Sequence, residues 1–421
     1  MIITELQQLY AAHPNVEGMY RLLQDNSVRH LYCSGLCASA ASLFSSVLIQ
    51  RVECPFVFIL GDLEEAGYFY HDLTQILGTE QVLFFPSSFR RAIKYGQKDA
   101  ANEILRTEVL SRLQKGEEGL CVVTYPDALA EKVVSRKELG DKTLKLHLGE
   151  KVDMDFVTEV LRSYSFEYVD YVYEPGQYAV RGSIIDVFSF SSEFPFRIDF
   201  FGDEVESIRT FEVESQLSKE KKENIVIVPD LSHSLEQRGN GGMVSFLDFL
   251  QPDTLLAMKD FLWLRERIQT VHDEALTAQA IAAREAEENG LISLDGKLID
   301  GGEFTLRALD FRRIEFGTKP TGTPDATVTF NTTAQPIFHK NFDLVAESFH
   351  DYLSRNYALY ICSDSLKQTE RIRAIFEDRG DNISFTSVER TLHEGFADDA
   401  LRLCIFTDHQ LFDRFHKYNL K

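Results

Sequence analysis

The sequence predicts a multidomain α/β protein: a parallel-sheet α/β domain first, then an α+β domain on an antiparallel sheet, and a small α/β domain at the end. Two patterns and one length carry this reading. Residues 1–140 alternate wholly apolar runs with amphipathic stretches, the signature of parallel strands covered by helices on both faces. From Tyr168 to Val213 the periodicity drops to two, punctuated by Gly176, Gly182, Pro195 and Gly202-Asp203, which is the pattern of an antiparallel sheet with turns. The 421 residues have room for two to four domains at roughly 100–200 residues each.

In chain order, Arg29–Ser34 is a short apolar strand and 38–51 a helix. Pro55–Leu60 is a second strand ending in Gly61-Asp62, and Leu63–Leu77 is an amphipathic helix. Gln81–Phe85 and Leu120–Thr124 are further strands, separated by a helix over 99–113. Leu144–Leu148 is strand-like. A helix over 153–164 follows, capped by Asp153 and striped by Phe156, Val157, Val160 and Leu161. Residues 215–224 are charged and read as a linker. Ile225–Val228 and Thr254–Ala257 are short strands, and 260–288 is one long helix rich in Ala, Glu and Gln. After the Pro/Gly/Thr stretch at 320–324 come strand Tyr357–Cys362, helix Leu366–Phe376, and strands Ile383–Thr386 and Leu401–Phe406.

Composition narrows the function. The net charge is −22, which opposes nucleic-acid binding unless a local basic patch compensates. The tightest basic cluster, Lys219, Lys221 and Lys222, alternates with Glu220 and Glu223 and reads as a solvated loop. Cys33, Cys121, Cys362 and Cys404 lie in apolar runs and read as small buried hydrophobes. Neither the cysteines nor the eleven scattered histidines show ligand spacing, so no metal site is expected. No apolar run approaches the roughly 18–20 residues a membrane span needs, and the N-terminus lacks a signal pattern, so a cytoplasmic protein is expected.

Two places are candidates for function. The turn Ser34–Ser42 lies between a strand and a helix, where a phosphate loop G-x-x-x-x-G-K-[ST] belongs. Gly35 and Ser42 fit its ends, but Ala40 replaces the second glycine and Ala41 the lysine. The cation that would face the phosphates is missing, so the corner is read as degenerate and non-catalytic. Asp62, Glu64 and Glu65 stand at a strand end, where ligands of such sheets bind, but acids there also complement a helix N-terminus. The second place is Phe196–Phe201. Alternation puts Phe196, Ile198 and Phe200 on the core face and Arg197, Asp199 and Phe201 on the other. An outward aromatic beside an arginine is what an interface anchor looks like. Arg181, before Gly182 in the neighbouring run, shares that surface if the strands pair. The alternative is that Arg197 pairs with Asp199 or Asp186 and the linker covers Phe201.

Tyr173–Phe188 and Phe196–Arg209, quoted as YEPGQYAVRGSIIDVF and FRIDFFGDEVESIR, closely resemble the bacterial transcription-repair coupling factor family and the related excinuclease B. The likeness is strong from about 150 to 215. The missing phosphate-loop lysine favours the first family, as does a Phe84–Asn102 segment too short for the DNA-clamping hairpin of excinuclease B. The resemblance implies a degenerate helicase-like (P-loop, RecA-like) domain in two chain segments, 1–143 and 225–335. It implies an inserted partner-binding domain at 144–224 and a small domain at 336–421. It further implies an N-terminal fragment of a longer protein that recruits excinuclease A in transcription-coupled nucleotide excision repair, with Arg181, Arg197 and Phe201 as the contact residues. RNA polymerase, DNA, ATP and magnesium belong in that family to regions absent from this chain, whose C-terminal domain masks the docking face; no cofactor is expected here. The competing readings are an ATP-dependent, excinuclease B-like damage-recognition enzyme and a metabolic enzyme with its pocket at the Asp62 end of the sheet.

Overall fold

The computed structural model describes residues 1–88, 99–231, 242–289, 296–416 and 418. Five of the apolar runs, joined by two strands the sequence reading did not contain, Arg312–Glu315 and Ala326–Thr329, form a seven-stranded sheet in the order Ala326–Thr329, His30–Ser34, Arg312–Glu315, Leu255–Met258, Phe56–Ile59, Cys121–Thr124, Val82–Phe84. Every pairing in it is parallel. Strands from before residue 144 and after residue 225 interleave, so two distant chain segments build one sheet. Phe56–Ile59, Cys121–Thr124 and Leu255–Met258 are buried at every position, as continuous apolar strands covered on both faces must be. The long helix is Phe261–Asn289.

The second sheet runs Ser218–Lys221, Glu204–Phe211, Phe196–Phe201, Ile184–Val187, Gln177–Arg181, Glu167–Tyr168. Its pairings are antiparallel except the last. Asp153 caps helix Met154–Ser163 by accepting from the Asp155 N–H at 3.0 Å. The helix presses Val157 and Leu161 against Tyr178, Ile185, Phe196, Ile198 and Phe200, so the expected core face is the observed one. The apolar stripe of this helix is narrower than expected, because Phe156 is exposed.

Two expectations are corrected here. The sequence reading assigns Ile225–Val228 to the second segment of the parallel domain. Instead, Asn224–Ile227 pairs antiparallel with Leu144–His147, and Ile225 and Ile227 join the core of the inserted domain. The chain enters and leaves the insertion side by side, and those two strands zip together as its stem. The charged segment around Lys219 is not a loop: Ser218–Lys221 is an edge strand, exposed at every residue. Its alternating charges protect the sheet edge from pairing with another chain.

The third sheet, Thr332–Ala334, Phe396–Asp398, Leu403–Thr407, Ala358–Ser363, Thr386–Glu389, starts before the expected boundary at 336. It is not an isolated unit. Tyr360, Cys362, Val388, Phe396 and Ile405 share one continuous core with the parallel domain and with helix Ile3–Ala11. Asp398 anchors this junction by accepting from the Tyr10 hydroxyl at 2.6 Å. Cys33, Cys121, Cys362 and Cys404 are buried as expected, and burial pushes the Cys33 and Cys404 thiols up to about 12. No helix among the described residues is long and apolar enough to cross a membrane.

Candidate functional site

Strand register places Asp186 opposite both Ala179 and Arg197. Its carboxylate is 1% exposed and takes two arginines. Arg197 donates from Nε to Oδ1 at 2.9 Å and from Nη2 to Oδ2 at 3.1 Å, the bidentate fork that only arginine supplies. Its Nη1 donates to the Gln216 carbonyl at 2.9 Å, and its plane lies 4.4 Å over the Phe211 ring. Arg181 reaches the same Asp186 from Nη2 and donates from Nη1 to the Asp170 carbonyl at 2.9 Å, against the Tyr171 ring.

The structure brings Arg181 and Arg197 onto one face, although their strands do not pair as the sequence reading required: Ile184–Val187 lies between them. It also divides their roles. The Arg197 side chain is 15% exposed and bonded on three nitrogens. Of the alternatives read from the sequence, the Asp186 pairing is the one formed, while Asp199 accepts from the Ser183 hydroxyl. Arg181 is 40% exposed at its side chain. Phe201 continues the same alternation at the strand's end and is 77% exposed; the linker does not cover it. Val172, Ala179, Phe188 and Phe211 pack beneath the arginines as a second small core, which the sequence reading missed. The exposed Tyr168, Tyr171 and Tyr173 were also missed. Their signal was the density of tyrosines in Tyr168-Val169-Asp170-Tyr171-Val172-Tyr173.

At the phosphate corner, Gly35 has φ +82°, and a Cβ there would sit 1.9 Å from the Phe330 carbonyl oxygen, so both the left-handed backbone and the close approach require glycine, with no ligand needed to explain it. Three backbone N–H groups of the turn are already bonded within the chain. Cys37 donates to the Thr332 hydroxyl at 3.0 Å, Ser39 to the Glu394 carbonyl at 3.2 Å and Ala40 to the Cys37 carbonyl at 3.0 Å. Ser42, the position of the magnesium-binding hydroxyl in the motif, is buried and donates to Asp72 at 2.7 Å, as does Ser39. Burial pushes the Asp72 carboxyl up to about 6, against the hydrogen bonds from Ser42, Ser39 and the His393 N–H. The adjoining cleft of about 530 Å³ is lined by Asp62, Glu64, Glu65 and Glu394, and its Lys259 is paired with Glu65. Asp62 itself caps helix Leu63–Leu77 by accepting from the Glu65 N–H at 2.8 Å. Of the segment Phe84–Asn102 compared with the DNA-clamping hairpin, residues 89–98 lie outside the described residues. The histidines that look scattered in sequence are not all so: the fold gathers His393, His409 and His416.

Residues 144–233 match the family model of the UvrB interaction domain. The class is therefore an α/β chain in which a domain similar to the UvrB interaction domain is inserted between the two segments of the parallel sheet. Along its length the chain is similar to transcription-repair-coupling factors, in line with the resemblance read from its sequence. The factor of Escherichia coli K12 is 29% identical over 196 residues, 46% of this chain and 17% of that protein. That of Bacillus subtilis 168 is 30% identical over 197 residues, 47% of this chain and 17% of that protein. That of Staphylococcus aureus RF122 is 21% identical over an alignment of 459 residues that covers 90% of this chain and 38% of that protein. The chain thus spans well under half the length of these relatives.

Proposed function

We propose that this chain is a non-catalytic recruitment module in transcription-coupled repair, and that its inserted domain binds excinuclease A. The observation that carries the reading is Phe201, a large aromatic 77% exposed at a strand end inside the matched domain. Arg181, on the same sheet, and Tyr171, in the bend against it, offer a half-exposed cation and a further aromatic, residue types enriched at binding hot spots. Arg197 holds the platform from below. Phe201→Ala should weaken binding of excinuclease A by about 2 kcal/mol, roughly 30-fold, and leave unfolding unchanged. Titration calorimetry with that partner checks it; unaltered affinity removes Phe201 from the contact.

The reading of an ATP-dependent, excinuclease B-like enzyme meets two obstacles at the corner. The turn's N–H groups at Cys37, Ser39 and Ala40 are spent on the chain itself, and the cleft is lined by carboxylates that repel phosphate. Calorimetry with ATP and magnesium on the 421-residue chain is expected to show no binding heat. A saturable one-to-one isotherm would restore the enzymatic reading.

A further inference from the structure

One nitrogen from each of His393, His409 and His416 lies within 4.8 Å of the other two. His393 Nδ1 and His416 Nδ1 are 3.1 Å apart. A tetrahedral ion with metal–nitrogen bonds of ~2.0–2.1 Å sets its ligand nitrogens about 3.3 Å apart, so this pair already has a chelating separation.

The far sides of two rings are held as ligand histidines are held. His393 Nε2 lies 3.4 Å from a Glu394 carboxylate oxygen, and His409 Nε2 lies 2.6 Å from the His393 carbonyl oxygen. A metal-binding imidazole characteristically gives its other N–H to a carboxylate or carbonyl, which fixes the tautomer and turns the remaining lone pair toward the ion. Stacking limits rotation as well. Tyr68 lies on His393 at 3.4 Å between centroids, and His409 lies on His416 at 4.3 Å. A fourth imidazole, His71 of helix Leu63–Leu77, stands edge-on to His416 at 4.9 Å, and its Nε2 is buried with no hydrogen-bond partner among the described residues.

We propose that His393, His409 and His416 form a site for a borderline divalent transition metal of the Zn2+ class, with His71 or water completing the shell. Imidazole donors select this class over oxygen-seeking magnesium or calcium. The site stands where helix Leu63–Leu77 meets the third sheet's loops, so the ion staples those two parts of the fold together.

The test is a Zn2+ titration of the chelator-stripped 421-residue chain against a chromophoric competitor, with Co2+ substituted in parallel. One tight equivalent is expected, with a Co2+ visible spectrum of a four-coordinate, nitrogen-rich site and a raised melting temperature on adding Zn2+. Glu394→Gln, which alters only the outer partner of His393, should weaken binding by about 10-fold or more. Combining His393→Gln with His416→Gln should weaken it further, with circular dichroism confirming that each variant is folded. A stripped wild-type chain that takes up no tight equivalent overturns the site. So does an affinity unchanged when both histidines are replaced, which would leave a hydrogen-bonded histidine stack only. The Co2+ spectrum of the wild-type chain decides even if a variant fails to fold.

Discussion

Arg197→Ala is expected to destabilise the inserted domain by about 3–5 kcal/mol, more than any exposed docking residue would. The substitution strands the Asp186 carboxylate, which is 1% exposed, with one of its two arginines gone. It also bares the Phe211 ring and leaves the Gln216 carbonyl without its donor. Arg181 still reaches Asp186, which places the loss toward the lower end of that range. Urea unfolding measures the loss, and hydrogen exchange should confine it to residues 144–228. The consequence for the proposed function is direct. Lost partner binding in this variant reports a collapsed platform, whereas the same loss in Phe201→Ala reports a missing contact. A variant that unfolds at the wild-type midpoint yet no longer binds would show that Arg197 touches the partner itself.

Asp398→Ala is expected to cost about 3 kcal/mol and to loosen the third sheet from the parallel domain, since each buried donor orphaned costs about 1–3 kcal/mol. The Asp398 carboxylate accepts from the Tyr10 hydroxyl at 2.6 Å and from the N–H groups of Ala400 and Leu401 at 2.9 and 3.1 Å. Burial alone would raise this carboxyl, but the neighbouring His13 imidazole and the bonds from Tyr10 and Leu401 hold it below its ordinary value of 3.8. A depressed folded value gives stability that is fully present above 3.8 and lost as the pH falls through the lower folded value. The gap between wild type and variant should therefore be constant near neutrality and close in strong acid. Thermal unfolding at neutral pH and in strong acid checks both parts; a gap that persists in acid would mean that the ionised carboxylate is not what secures the junction.

Much of this architecture is written in local pattern. Continuous apolar runs mark five of the seven parallel strands, because a strand covered on both faces has no polar side to show. Alternation places Phe196, Ile198 and Phe200 inward and Phe201 outward, since successive strand side chains point oppositely whatever the strand pairs with. That Ala41 stands where a phosphate-loop motif would place a lysine can likewise be read from one turn of chain.

What the sequence by itself determined, then, is five of the seven parallel strands, the inward and outward faces of Phe196–Phe201, and the exposed aromatic at Phe201. Only the tertiary structure decided what those faces meet. Asp186 rather than Asp199 became the partner of Arg197 because the register of two paired strands set them opposite. The phosphate corner is closed by Glu394, whose own N–H bonds the Ser39 hydroxyl across 355 residues of chain. Ile225 and Ile227 joined the inserted domain because its entry and exit strands meet. His71 and His416, far apart in sequence, came together only when the third sheet docked. Periodicity is a property of neighbours along the chain, whereas pairing and docking depend on contacts between distant segments, and no local pattern encodes which segment will arrive.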